Sequence, residues 1–466
     1  MGHVVFGIPR IEHFHLHSRL LRKLSDRTHR VTILTTDPVA FEFFSAQGLR
    51  VVDIRPQRPS LSETLASQAP LEEFARIDCM LRGQSMPTRH QLRSAHRPLA
   101  GVLPGLSMLF EMEPPDLLYL HQGRTGVHRL LHFLARRHGA PVLHTGEGLL
   151  PHTMQWDAEG IDGDASFVRH TAQDYRRPDM DDVFLAAALS AWLARAYPPP
   201  LGRIGVKRPG LGRRLKACAQ AALRGQWPAA LGGLDAWQRA YTPAFPRRQD
   251  QLGLPQVPYV VVLLQPEHCP RLLLDSAGQV EHAHFIRVAR EATRKIGDGI
   301  PTVVVLPHNR GHRAMAMRLK EDLRDLIFLP TGAGPLAVST AMAVITVNHP
   351  LGLCAVLAGT PVLHLGRTPY GVRGIAQRTS LDLLVEDLAS ALTMDNPILR
   401  QRFLTRMLRD YHLWCAVHHP DTNGIAGLTV KIEGMMAQPP DNVAPLHYRS
   451  GPVWPLSVQA KKGEWS

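Results

Sequence analysis

Short apolar runs alternate with stretches of helical periodicity over most of this chain. His3 to Gly7 is a compact apolar run, and Leu16 to Leu24 then carries apolar residues at helical spacing. Arg30 to Thr35, rich in β-branched residues, predicts a second strand ending at Thr36-Asp37-Pro38, and Leu49 to Ile54 a third. Asp116 to Leu120 predicts a later strand that opens into His121-Gln-Gly-Arg-Thr-Gly126. A helix from Val127 to His138 leads to the run Pro141-Val-Leu-His144, which the pattern ends at a Gly-Glu-Gly turn.

A second series starts at Tyr259 to Leu264. It continues with a helix over 282–296, a strand over 302–306, a helix over 314–323 and a strand over 326–329. A strand over 343–347, a helix over 352–358 and a strand over 361–365 complete it. Strands alternating with helices imply parallel pairing, because a parallel connection needs a crossover long enough to hold a helix. The expected fold is therefore α/β with two Rossmann-like domains; facing each other across a cleft, they would make a GT-B-like arrangement, which periodicity alone does not fix.

At 466 residues the chain exceeds a single compact core. The expected division is an N-terminal Rossmann-like domain over 1–200, and a basic, Pro/Gly-punctuated helical linker over 201–257. A C-terminal Rossmann-like domain follows over 258–400, then a helix and turn over 401–437. A Pro- and Gly-rich, poorly ordered tail is expected over 438–466. No window reaches the roughly 20 apolar residues a membrane span needs, and the N-terminus reads as a core strand rather than a signal peptide. Five scattered cysteines with no CxxC pair suit a reducing compartment and speak against a disulfide framework or structural zinc. The formal charge of +13 asks for an anionic partner. No nucleic-acid module or aromatic interleaving appears, so an anionic membrane surface is favoured over nucleic acid.

Candidate chemistry gathers at strand ends. Glycines flank Glu147 and let the backbone bend and a ligand approach, and Asp157, Asp162 and Asp164 follow on a Gly-rich segment. An ordinary loop with solvated acids is the alternative reading there. In the second series Gln265, His308-Asn309-Arg310 and Asn348-His349 each follow an apolar run, and parallel strands bring such ends to one edge. The helix starting near Gly352 offers free backbone N–H groups for a phosphate. His308 would donate to that phosphate, and Arg310 would add charge. His13, His15 and His17 read as helix-start residues rather than a zinc site, since residues two apart do not share a helical face, with His13 near the cleft. His418-His419-Pro420-Asp421 reads as a surface turn without a metal-binding partner.

These residues together resemble the KpsS/KpsC-type capsule polysaccharide biosynthesis family. Glu147-Gly-Leu-Leu-Pro151 with Asp157 to Gly160 and Ser166 resembles its acidic-Gly block, and Pro307-His308 its His-Pro element. Asn348 with Gly352-Leu353, Gly359-Thr-Pro361-Val362 and Leu365-Gly366-Arg367 to Tyr370 resembles its Asn-to-Gly and Leu-Gly-Arg blocks. The departures are Asn309 and Leu306 around the His-Pro element, His349-Pro350 in place of a hydroxyl pair, and Asp162 in place of Asn. The resemblance implies a cytoplasmic enzyme, peripheral on the inner face of the inner membrane. It would move Kdo (3-deoxy-manno-octulosonic acid) from CMP-Kdo, with retention, to a lysophosphatidylglycerol-type glycolipid. Capsule assembly or export proteins would accompany it. His308, Asn348, His349 and the backbone near Gly352 would hold the nucleotide, with Gln265 and Arg310 beside them. Glu147, Asp157 and Asp162 would supply the acids. Since the nucleotide leaves as a phosphate, neither metal nor cofactor is expected beyond the CMP-sugar itself. A non-catalytic glycolipid-binding or assembly subunit, and a UDP-sugar enzyme of the same architecture, are the rival readings.

Overall fold

A computed structural model describes residues 2–9, 13–54, 69–150, 152–176, 253–276, 281–307, 310–418 and 420–437. The expected linker over 201–257 lies almost entirely outside the described residues, and the expected tail over 438–466 wholly so.

The first unit runs β1 (His3–Gly7), α1 (Phe14–Asp26), β2 (Arg30–Thr35), α2 (Pro38–Ser45), β3 (Arg50–Asp53), α3 (Leu71–Leu81) and α4 (Arg89–Met112). It continues with β4 (Leu117–His121), α5 (Gly126–Arg137), β5 (Val142–Glu147) and β6 (Met154–Asp157). The second runs β7 (Val260–Leu263), α6 (Pro270–Asp275), α7 (His282–Ile296), β8 (Thr302–Leu306), α8 (Arg310–Asp322), β9 (Leu326–Pro330) and α9 (Gly334–Thr340). Then come β10 (Ala343–Thr346), α10 (Leu351–Ala358), β11 (Val362–His364), β12 (Gln377–Arg378), α11 (Leu384–Thr393) and α12 (Pro397–Arg406). The chain finally returns to the first sheet through β13 (His412–Leu413) and α13 (Thr422–Ala437), the latter packed on α1.

The first sheet has the order β13-β6-β5-β4-β1-β2-β3, with β5, β4, β1, β2 and β3 parallel. The second is parallel throughout, in the order β12-β11-β10-β7-β8-β9. Strand side chains divide by parity. Val261 and Leu263 enter one apolar cluster with α9, α10 and α12, while Val260 and Val262 enter another with α7 and α11. Burial on both faces explains why these strands read as unbroken apolar runs. The same holds in the first sheet, whose faces are covered by α1, α2 and α13 on one side and α3, α4 and α5 on the other. The molecule is thus α/β with two Rossmann-like units, as the pattern predicts.

In each sheet the chain reverses its direction of travel once, between β1 and β4 in the first and between β7 and β10 in the second. A crevice opens beyond the strand ends at such a point. Around the first crevice the backbone is unusual: Ile8, Gln122, His152 and Asp162 hold positive φ angles of 47°, 54°, 60° and 56°. For a β-branched residue such as Ile8 this region is sterically costly, a feature that concentrates at functional loops.

One local expectation is corrected. The run from Pro141 does not stop at His144; β5 continues through Glu147 and pairs antiparallel with β6, with Glu147 opposite Met154. The turn comes afterwards. A Cβ on Gly148 would lie 1.9 Å from Thr153 Oγ1, so only glycine fits that close approach.

Candidate active site at two facing crevices

The first wall is built on β1, β4 and β5. Gly7 lets β1 pass Leu120 and Leu131, where a Cβ would lie 2.4 Å from Leu120 Cδ2. Beyond it His13 stands just before the first residue of α1, buried, with its ring 4.7 Å from that of His121 at the end of β4. The His121 Nδ1 shares a 2.9 Å hydrogen bond with Thr145 Oγ1, and the Thr145 hydroxyl donates to Tyr119 Oη. Glu147 ends β5 half-exposed, its Oε1 2.8 Å from His418 Nε2. That hydrogen bond holds the Glu147 carboxyl below its ordinary range, against the opposing effect of burial. Glu147 is therefore an anion at neutral pH.

The second wall is built on β7, β10 and the loop carrying α6. Asn348 N–H donates to Gln265 Oε1 at 3.4 Å, and Asn348 Nδ2 donates to the Arg271 carbonyl at 2.9 Å. Both side chains are about 97% buried, and each keeps one polar atom, Gln265 Nε2 and Asn348 Oδ1, with no partner among the described residues. Buried polar atoms left so are costly unless a ligand or water meets them.

The expected phosphate seat on free backbone N–H groups of α10 is corrected. Leu351 N–H goes to His349 Nδ1 at 3.0 Å, Gly352 N–H to the His349 carbonyl and Leu353 N–H to the Pro350 carbonyl. Gly352 faces Tyr370, where a Cβ would lie 2.4 Å from the phenol. Burial and then the Arg271 charge push the His349 pKa to about 3, so the ring is neutral, and because Nδ1 accepts from Leu351 its proton sits on Nε2. A neutral N–H donor beside a guanidinium remains suited to an anionic ligand.

The two walls are joined by charge. Arg124, on the loop after β4, makes a bidentate contact with Asp275 of α6, 2.7 and 2.6 Å long, and reaches Asp164 at 3.1 Å. Arg129 also binds Asp164, and Arg367 lies 3.2 Å from Asp275. Arg271 binds Asp162 at 2.6 Å and donates to the Glu147 carbonyl at 3.0 Å. Burial alone would raise the Asp164 pKa, but Arg129, Arg124 and Arg367 outweigh it and hold the carboxyl well below the usual range. Four guanidinium groups thus face three carboxylates at the junction.

Gln265, Asn348 and His349 stand just past the ends of β7 and β10, and Glu147 ends β5 across the junction, linked to them through Arg271. Asp157 and Asp162 are deployed otherwise. Asp157 Oδ1 accepts from Glu159 N–H and Gly160 N–H, and its Oδ2 accepts from Ser166 N–H and Oγ, so it organises the loop after β6. Burial raises its pKa to about 6 in spite of those bonds. Asp162 accepts from Gln155 and Arg271. His308 and Asn309 lie outside the described residues; Arg310 opens α8. Sequence reading missed Arg124, Arg271, Asp275 and the His418 partner of Glu147. Arg124 and Arg367 carried a signal, each standing beside glycine just past a strand end.

No protein-family model and no curated protein matches the sequence. Among solved structures, the chain is similar to the glycotransferase of kitacinnamycin, at 17% identity over 93% of this chain and 99% of that one, with a TM-score of 0.36. It is also similar to the KpsC beta Kdo 2,7 transferase of Thermosulfurimonas dismutans, at 14% identity, 77% and 95% coverage, and a TM-score of 0.37. A third is the UDP-GlcNAc 2-epimerase of Neisseria meningitidis bound to UDP-GlcNAc, at 13% identity, 94% and 100% coverage, and a TM-score of 0.34. The strand order described above, and not these likenesses, carries the two-unit architecture. No described helix is long and apolar enough to cross a membrane.

Proposed function

We propose that this protein is a glycosyltransferase that takes a nucleotide-activated sugar, with CMP-Kdo as donor and a glycolipid at an anionic inner-membrane surface as acceptor. The observation that carries the reading is the meeting of two switch-point crevices. One presents an ionised carboxylate, Glu147, and the other presents N–H donors for an anion, His349 Nε2 and Arg271. The buried, partnerless Gln265 Nε2 and Asn348 Oδ1 add donor and acceptor capacity to the same wall. The excess of basic residues over the chain supports an anionic donor and an anionic surface alike.

In the reaction, the bond from the anomeric carbon to the phosphate oxygen breaks and CMP leaves as a phosphate monoester. His349 and Arg271 balance the charge that develops on that oxygen. Glu147 offsets the positive charge growing at the sugar, and retention would have it add to the anomeric carbon before the acceptor oxygen displaces it. The acceptor hydroxyl passes its proton to the phosphate of the released CMP as the new bond forms. Asp157 and Asp162 act as positioning residues for the Glu147 loop.

The test is a thermal-shift series with CMP, CDP, UDP and GDP, followed by transfer assays with CMP-Kdo. Selective stabilisation by CMP that is lost in His308→Ala is expected, because a ligand that binds only the folded chain raises the melting point by mass action. Glu147→Gln is expected to bind CMP normally and lose about 10²-fold or more in rate. Selective stabilisation by UDP would replace the donor. Stabilisation by none of the four would overturn the reading in favour of a non-catalytic subunit.

A further inference from the structure

His13, Glu147 and His418 come together from three distant parts of the chain. Their ligating atoms, one imidazole nitrogen from each histidine and a carboxylate oxygen, all lie within 4.8 Å of one another. The His418 Nε2 is already 2.8 Å from Glu147 Oε1, and the His13 and His418 rings stand 5.2 Å apart, centre to centre, and inclined by 52°. His13 is held rigidly, buried at the first turn of α1 and against His121. His418 and Glu147 sit at the surface, each about half exposed.

We propose that this trio is a binding site for a divalent first-row transition metal of the zinc class. The chemistry of the donor set selects the ion. Two imidazoles and one carboxylate match the borderline-soft ligands that zinc and its neighbours prefer, whereas magnesium and calcium take oxygen ligands. Ligands at about 2.0–2.2 Å from a tetrahedral ion stand roughly 3.3–3.5 Å apart, so small rotations of two surface side chains close the set around it. A three-ligand protein set leaves the fourth position for water or a ligand group, the pattern of an open site. The hydrogen bond between His418 and Glu147 occupies the place the ion would take. His13 comes from the loop after β1, Glu147 from the end of β5 and His418 from the return of the chain after β13, so the ion would also tie the C-terminal segment to the first sheet.

This inference does not rest on the glycosyltransferase reading, although it shares Glu147 with it. The two are in tension at that residue. An ion holding the carboxylate takes the lone pairs that transfer needs, so added zinc is expected to suppress transfer and a chelator to restore it.

The experiment uses the full-length chain, stripped with a chelator and titrated with Co2+ and Zn2+, with Mg2+ as the negative probe. One Co2+ per chain with visible d–d absorption of a low-coordinate site, displaced by Zn2+ and untouched by Mg2+, is expected. Glu147→Gln and His418→Ala, both at exposed positions, should each weaken Co2+ affinity by about tenfold or more while keeping the melting point of the stripped protein. His90→Ala and His284→Ala, exposed on other helices, should change nothing. Absence of the absorption band overturns the proposal, as does Co2+ uptake unchanged in both site variants, since that locates the ion on other histidines. The readout needs neither nucleotide nor sugar. A chain that binds Co2+ without any nucleotide keeps the metal site and loses the enzyme, and the converse result keeps the enzyme alone.

Discussion

Gly352 shows how tightly one position is held behind the second wall. Any Cβ there would meet the Tyr370 phenol, whose hydroxyl donates to the His349 carbonyl at 2.7 Å. Tyr370 is fully buried and cannot step aside without disturbing the core. Gly352→Ala should therefore cost about 1–3 kcal/mol by overpacking and shift His349, which chemical denaturation and nucleotide affinity would register together. Unchanged stability and binding would mean Tyr370 has room the packing does not show. The glycine was legible in the sequence, but its reason was not: the pattern suggests a phosphate seat, whereas the packing against a residue 18 positions later decides it. Glu147 was legible because glycines frame it. Its partner His418 was not, because a contact across 271 residues leaves no local periodicity.

Between strands and helices, local pattern served well wherever a segment buried both faces or one clear stripe. The strand Thr302–Leu306 and the helix His282–Ile296 stand where the pattern places them. The helix α4 did not declare itself because Pro98 and Pro104 lie inside it, each removing a backbone donor. It forms all the same, started by a capping box between Thr88 and Gln91 and held by buried Leu99, Leu103, Leu106 and Phe110 at helical spacing. Tertiary burial overrides propensity there. The joint between the walls was equally hidden, since α6 has only six residues and its Asp275 has meaning only opposite Arg124. Asp275 also accepts from Gly163 N–H, so one carboxylate gathers the loop after β4, the loop after β6 and α6. Replacing Arg124 by Met would leave that carboxylate buried beside too little positive charge. A loss of about 3–5 kcal/mol is expected in urea unfolding, with part of it recovered in Arg124→Met/Asp275→Leu. A double variant no more stable than the single one would show that shape, rather than charge, holds the joint.

Taken over the full fold, the buried histidines set how the protein answers to acid. His132 and His144 share a 2.7 Å hydrogen bond beneath β5, one nitrogen donating and the other accepting. His412 accepts from Leu149 N–H while sharing its other nitrogen with the Met407 carbonyl, and His349 accepts from Leu351. A second proton on any of these accepting rings removes the acceptor and brings a charge into the interior. Burial accordingly lowers His132 and His349 to about 3 and His364 and His412 to about 4, with His144 also lowered. In the unfolded chain each titrates near 6.5. Between those values the unfolded state binds more protons, so stability is fully present above about pH 6.5 and is lost as pH falls toward 4. Asp157 works the other way, since its raised pKa lets the folded state take up a proton between about 4 and 6. Burial raises Asp37, Glu73, Asp78 and Asp275 as well, while it lowers His3, His152 and His170 alongside the five rings. Each net proton is worth up to about 1.4 kcal/mol per pH unit, so a net uptake of even two or three by the unfolded chain is a large share of an ordinary folding stability of about 5–15 kcal/mol. The urea midpoint should therefore hold steady from pH 8 to 7 and fall steeply from 6.5 to 5, and the slope should lessen in His132→Asn/His144→Asn. A midpoint that stays level down to pH 5 would mean that these rings take protons without leaving the fold, and their buried hydrogen bonds would have to open to admit them.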